Sequence, residues 1–167
     1  MTRLVPIAPL TASAFEPFGR VIEAGLGEVR IINGGTTERH HALCHVSHAD
    51  GRQPILSIFR GQPRDLPMTV AMMERHPLGS QAFVPLDGQE WIAVVAEDVD
   101  GRPGPPRAFL CGAWQGVSYD RNVWHHPLIA LGVRSDFLVA DTDGADANLE
   151  EADYQEPYQL DPRGGSR

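Results

Sequence analysis

The chain has 167 residues, is 42% apolar and carries a formal charge of −8. That is long enough for one domain with a sizeable core and no disulfide staples, and too acidic for a nucleic-acid partner, whose phosphates favour basic surfaces. All 14 basic residues are arginine, which excludes Schiff-base chemistry, pyridoxal phosphate attachment and a phosphate-loop lysine.

From the N-terminus, MTRLVPIAPL lacks the charged-then-apolar pattern of a secretory signal, and no run of 18 apolar residues follows anywhere, so no membrane span is expected. Cys44 and Cys111 form no CxxC pattern and suggest buried thiols in a reducing, cytoplasmic compartment. A short helix is expected at 11–18, with Thr11 or Ser13 as cap and Gly19 as stop. Strand-like runs then follow at 56–59, 82–86, 91–96, 107–111, 123–131 and 136–141. Asp-Gly pairs at 50–51, 87–88, 100–101 and 143–144 supply turns. A second helix is expected at 65–73, with Pro67 in its first turn. The two apolar runs of 82–96, flanking Asp87-Gly88, read as a hairpin. From Asp141 to Glu156 there are seven acidic residues and no basic one, which reads as a solvated edge or tail. Many short strands at close spacing make the fold mainly β, a sandwich or barrel of one domain across 1–167.

Two polar clusters stand out. In ERHPLGSQAFVPL (74–86), strand alternation puts Glu74 and His76 on one face and Arg75 on the other. With Gln81 the inward face offers carboxylate, imidazole and amide oxygen, donors that suit a divalent transition metal. The same pattern fits a solvated strand edge. In YDRNVWHHPL (119–128), only one of His125 and His126 can face inward from a strand, with Arg121 and Asn122 at the entrance. His41 and His45 have helical spacing, but no glutamate follows His41 as an HExxH site requires. The arginine fork matches a carboxylate bidentately; Arg39, Arg60, Arg75 and Arg121 all stand beside polar or turn residues.

INGGTTERHH (32–41), LSIFRGQPRDLP (56–67), ERHPLGSQAFVPL (74–86) and GVSYDRNVWHHPL (116–128) resemble, in order and spacing, the ureidoglycolate lyase family, formerly called ureidoglycolate hydrolase. The resemblance runs from about residue 3 to about residue 142. It implies a cupin-like antiparallel β-barrel, a homodimer, and cleavage of ureidoglycolate to glyoxylate and urea in allantoin breakdown. It also implies a divalent metal, nickel, and no organic cofactor. Cupins place two histidines and a glutamate in a first motif and one histidine in a later strand. Glu74 and His76 stand at the two histidine positions, Gln81 at the glutamate and His125 at the last. The resemblance thus makes Glu74, His76, Gln81 and His125 the metal-ligating or acid–base group. It leaves Arg39, Arg60, Arg121, Asn33, Asn122 and Trp124 as candidates for holding a small carboxylate substrate. Two alternatives accompany it: an amidohydrolase that releases ammonia from the same substrate, and a non-catalytic regulatory cupin that binds a small carboxylate.

Overall fold

The structure, a computed structural model, describes residues 3–144 and 147–162. After β1 (Arg3–Pro9), Thr11 caps a one-turn helix α1 (Ala12–Phe15) by accepting a hydrogen bond from the Ala14 N–H. A 3₁₀ turn (Glu16–Phe18) then leads into β2 (Gly19–Ile22), as the expected cap and stop required. β3 (Glu28–Ile32) and β4 (Thr37–His41) form a hairpin of their own. β5 (Pro54–Gly61), β6 (Pro63–Arg64), β7 (Met68–Arg75), β8 (Gln81–Pro85) and β9 (Trp91–Ala96) follow. Asp100-Gly101 turns the small hairpin of β10 (Asp98–Val99) and β11 (Arg102–Pro103). The rest comprises β12 (Arg107–Cys111), β13 (Gly116–Tyr119), β14 (Trp124–His125), β15 (Ile129–Leu131), β16 (Ser135–Thr142) and β17 (Glu150–Asp161).

Six strands close on themselves in the order β12-β1-β17-β7-β14-β9, with β9 pairing back to β12. A second sheet runs β2-β13-β8-β16-β5. Most pairings are antiparallel, but β1 runs parallel to both β12 and β17, and β15 parallel to β6. β9 explains how two cores coexist. Its run WIAVVA is buried throughout, because Trp91, Ala93 and Val95 face the space between the sheets while Ile92, Val94 and Ala96 fill the closed ring. A strand covered on both faces reads as a continuous apolar run rather than an alternation.

Three expectations are corrected. Residues 65–73 are not helical: the Leu66–Pro67 bond is cis, and β7 starts at Met68, where the chain joins a seven-pair ladder with β17. The runs at 82–96 are not a hairpin. β8 pairs with β13 and β16, whereas β9 pairs with β12, β14 and β15. Residues 86–90 cross between sheets, and Asp87 accepts the backbone N–H of Asp136 at 2.9 Å instead of closing a turn upon its neighbours. Lastly, the acidic segment is no tail. Within β17 Ala152, Tyr154, Tyr158 and Leu160 point inward while most acidic residues stay exposed, so a two-residue alternation underlies the charge. No helix among the described residues is long and apolar enough to cross a membrane.

Candidate active site

The ring's interior is filled by side chains, so the polar cluster lies in the seam between the ring and the second sheet. Glu74 near the end of β7 is paired directly with His125 of β14. Ala82 of β8 is paired with Ala140 of β16, so one step further Asp141 stands beside Gln81 on the same face. Glu74, Gln81 and Asp141, with His76, Asn148, Ile55 and Phe59, line a cavity of about 290 Å³, and His125 lies buried behind them, its Nε2 3.1 Å from Gln81 Oε1.

Both histidines are fixed by their rear nitrogens. His76 Nδ1 donates to the backbone carbonyl of Asn148 at 2.6 Å, and His125 Nδ1 donates to that of Val123 at 2.9 Å. That choice of tautomer turns both Nε2 lone pairs toward the centre. His125 is 2% exposed and stacks on Tyr119, with centroids 4.3 Å apart and planes 9° apart. Asn148 also holds the turn after His76, since its Oδ1 accepts the Leu78 N–H at 2.8 Å. Gln81 Oε1 lies 3.2 Å from His76 Nε2 and 3.1 Å from His125 Nε2. Glu74 Oε1 lies 4.0 Å and 3.5 Å from the same two atoms.

Four lone-pair atoms from three strands and one turn therefore face one another. Glu74, His76 and His125 alone present ligand atoms all within 4.8 Å of each other. Nitrogen and oxygen donors, with the rear imidazole N–H bonds to backbone carbonyls, suit a divalent transition metal. The residues thus fit such an ion. Turned over, the Gln81 amide would instead offer one hydrogen to each imidazole, which satisfies the same group without metal.

Electrostatics shift Glu74 and His76 toward their ligand forms. Burial pushes the Glu74 carboxyl up, but contact with His125 and the nearness of the His125, His76 and His126 imidazoles outweigh it, so the net direction is down. Burial, then the neighbouring His125, lowers His76. Burial likewise lowers His126, against its bond to the Pro127 carbonyl at 2.8 Å. Burial raises the Asp141 carboxyl, against Gln81 and His76.

The remaining candidates sit elsewhere. Arg60 makes two bonds of 2.8 Å to Asp136 on the outer side of the second sheet. Arg121 donates to the Pro77 carbonyl. Asn122, at φ +69°, gives its backbone N–H to the His76 carbonyl at 3.0 Å, holding the site by main chain. Asn33 bonds Thr37 at the tip of the β3–β4 hairpin, and Arg39 lies on β4. Trp124 points into the ring, away from the cavity: its indole N–H donates to Asp98 at 2.8 Å and Arg75 covers its ring at 4.3 Å. Adjacent residues of a strand face opposite ways, so an inward His125 sends Trp124 to the other core. Asp141 and Asn148 are cavity residues that the sequence reading passed over.

The family model described as ureidoglycolate lyase matches residues 2–161. A ureidoglycolate lyase of Rhizobium leguminosarum bv. trifolii is 56% identical over 159 residues, 95% of this chain and 96% of the relative. Ureidoglycolate lyase 1 of Rhizobium meliloti is 54% identical over 161 residues, 96% and 95% of the two chains. The ureidoglycolate lyase of Agrobacterium fabrum is 55% identical over 161 residues, 96% and 97% of the two. Among solved structures, the dTDP sugar isomerase of Desulfovibrio desulfuricans G20 superposes with a TM-score of 0.50 at 19% identity, covering 83% of this chain and 87% of its own. That likeness shows a shared cupin-like fold alone. With the family match spanning both the ring and the seam, the chain belongs to the ureidoglycolate lyase family.

Proposed function

We propose that the protein is a ureidoglycolate lyase, releasing glyoxylate and urea in allantoin degradation, in the cytoplasm and as a homodimer. The carrying observation is that the four donor atoms of Glu74, His76, Gln81 and His125 converge at the wall of one small cavity in a chain 56% identical to a ureidoglycolate lyase. These four residues would hold a divalent ion, nickel by family resemblance. When bound, such an ion lowers the pKa of a hydroxyl group beside it.

Ureidoglycolate carries a hydroxyl and a urea nitrogen on one carbon, next to a carboxylate. Elimination breaks the O–H bond, whose electron pair becomes the new C=O bond of glyoxylate. The C–N pair departs on nitrogen, which must receive a proton. Glu74, held ionised, is the group placed to take the hydroxyl proton and return it to that nitrogen. His76 and His125, fixed by their carbonyl partners, keep Glu74 and the substrate in register. Ile55 and Phe59 supply an apolar part of the cavity wall.

Racemic ureidoglycolate, with a no-enzyme control, tests this. The expected products are urea and glyoxylate, lost with chelator and regained with nickel or manganese. Chelator-resistant turnover would keep the lyase and make the cluster an acid–base group. Ammonia in place of urea would mean an amidohydrolase, and binding without turnover a regulatory protein.

A further inference from the structure

Two surfaces of the protein are left open, and each supplies what the other lacks. β5 bonds along eight residues to β16, while its other edge pairs with no strand among the described residues. Its outer face carries Leu56, 71% exposed, and Ile58, 56% exposed, beside the half-buried Leu138 and Val84 of neighbouring strands. A long apolar edge of this kind is a template for another strand.

The β3–β4 hairpin is the second surface. It forms a separate two-stranded sheet, with Val29 and Ile31 exposed on one face. Arg30 and Arg39 stand directly opposite each other on the other face. A lone hairpin is marginal in water, and like charges directly across a ladder repel. Glu28 neutralises Arg30 through bonds of 2.9 and 2.8 Å. Arg39 has no hydrogen bond or ion pair among the described residues. The cavity has the reverse deficit: Glu74, Asp141 and Asp143 line it, and no arginine does. Arg52 reaches the backbone of Gly144 but is not part of the lining.

We propose that two copies of the chain associate by adding the β3–β4 hairpin of each to the β5 edge of the other. The partner's Arg39 then enters the cavity and binds the substrate carboxylate. This rests on the lyase reading above. Strand parity makes the two halves consistent. Side chains alternate, and a strand added to an edge continues the faces of its sheet. Placing Val29 and Ile31 beside the outer residues Leu56 and Ile58 therefore turns Arg39 to the side of Ile55 and Phe59, which line the cavity. The guanidinium fork suits a carboxylate bidentately.

Light scattering on the wild-type protein and on Ile31→Glu and Leu56→Glu measures the contact. A dimer that both variants split is expected. A wild-type monomer, or a dimer neither variant disturbs, overturns the proposal. The role of Arg39 is read from complementation with racemic ureidoglycolate. Arg39→Ala and His125→Ala are each expected to lose nearly all turnover. Their heterodimer, isolated by two tags, holds one complete site of two and should recover about half the wild-type rate. If Arg39 served its own chain, neither site would be whole and the heterodimer would stay inactive, which overturns the exchange. Arg39→Ala with an unchanged KM, and Arg52→Ala with a raised one, would overturn it equally. If the wild type itself does not cleave ureidoglycolate, the lyase reading fails and the assignment to Arg39 falls with it; the masses alone then decide the hairpin contact.

Discussion

Each site histidine is held by a backbone carbonyl that no side-chain substitution removes. His76 uses Asn148 and His125 uses Val123, so both Nε2 atoms are aimed before any ligand arrives. Alanine at either position removes the donor atom and the partner of its carbonyl. The expected outcome is a fall in kcat/KM of about 100-fold or more with a cooperative melt retained, the buried His125→Ala melting lower than His76→Ala, read by urea release and calorimetry. Near-normal turnover in both variants would remove the cluster from catalysis. Gly79 tests the neighbouring wall. A methyl group there would meet Thr142 Oγ1 at 2.0 Å and the Ser47 carbonyl at 2.9 Å. Gly79→Ala should therefore destabilise by about 1–3 kcal/mol, measured by urea unfolding. The shared face of Glu74 and His76 was legible from alternation alone. Gln81 was drawn to that face from the residues as well, whereas His125 rather than His126 came from resemblance, because nothing in the spacing says that β14 meets the same seam. The arginines were illegible for a related reason: Arg60 is neutralised by Asp136, 76 positions away.

Among the elements, Asp98 ties three together. Its carboxylate accepts Trp124 Nε1 at 2.8 Å, Arg75 Nη1 at 2.9 Å and the Gly101 N–H at 3.1 Å. The Trp124 and Gly101 bonds, with Arg75, hold its carboxyl below the usual range. A depressed carboxyl stabilises the fold above its unfolded value, about 3.9, and that contribution is lost as pH falls through the lower folded value. Asp98→Asn should therefore melt below the wild type at pH 7, with the gap closing below about pH 4. A gap of constant size across that range would show that charge plays no part. Local chemistry was read correctly where the partners are local, as at the Thr11 cap and the Asp100-Gly101 turn. It misled at Asp87-Gly88, whose turn-forming residues serve a crossing between sheets, and at Pro67, which precedes a strand.

At the scale of the whole molecule, β17 closes the ring. It lies between β1 and β7, pairing Arg3 to Tyr158 on one side and Glu150 to Arg75 on the other. Ending the chain after Leu149 should abolish cooperative unfolding, since it opens the ring and bares Val5, Val70 and Met73 of its core; a sharp transition in circular dichroism would contradict this. The β class was legible in the run of short strands. Which strands close the ring was not, because the closing strand is masked by acidic residues on its solvent side, and β1 and β17 meet only in three dimensions.

β9 is a party wall. Its odd residues belong to the seam that holds the candidate site and its even residues to the ring. A substitution there disturbs one room. An inserted or deleted residue changes parity, sending every following side chain through the wall into the wrong room at once. Variation in this segment is thus confined to exchanges of residue at constant length, and a library that varies its length should yield no folded members.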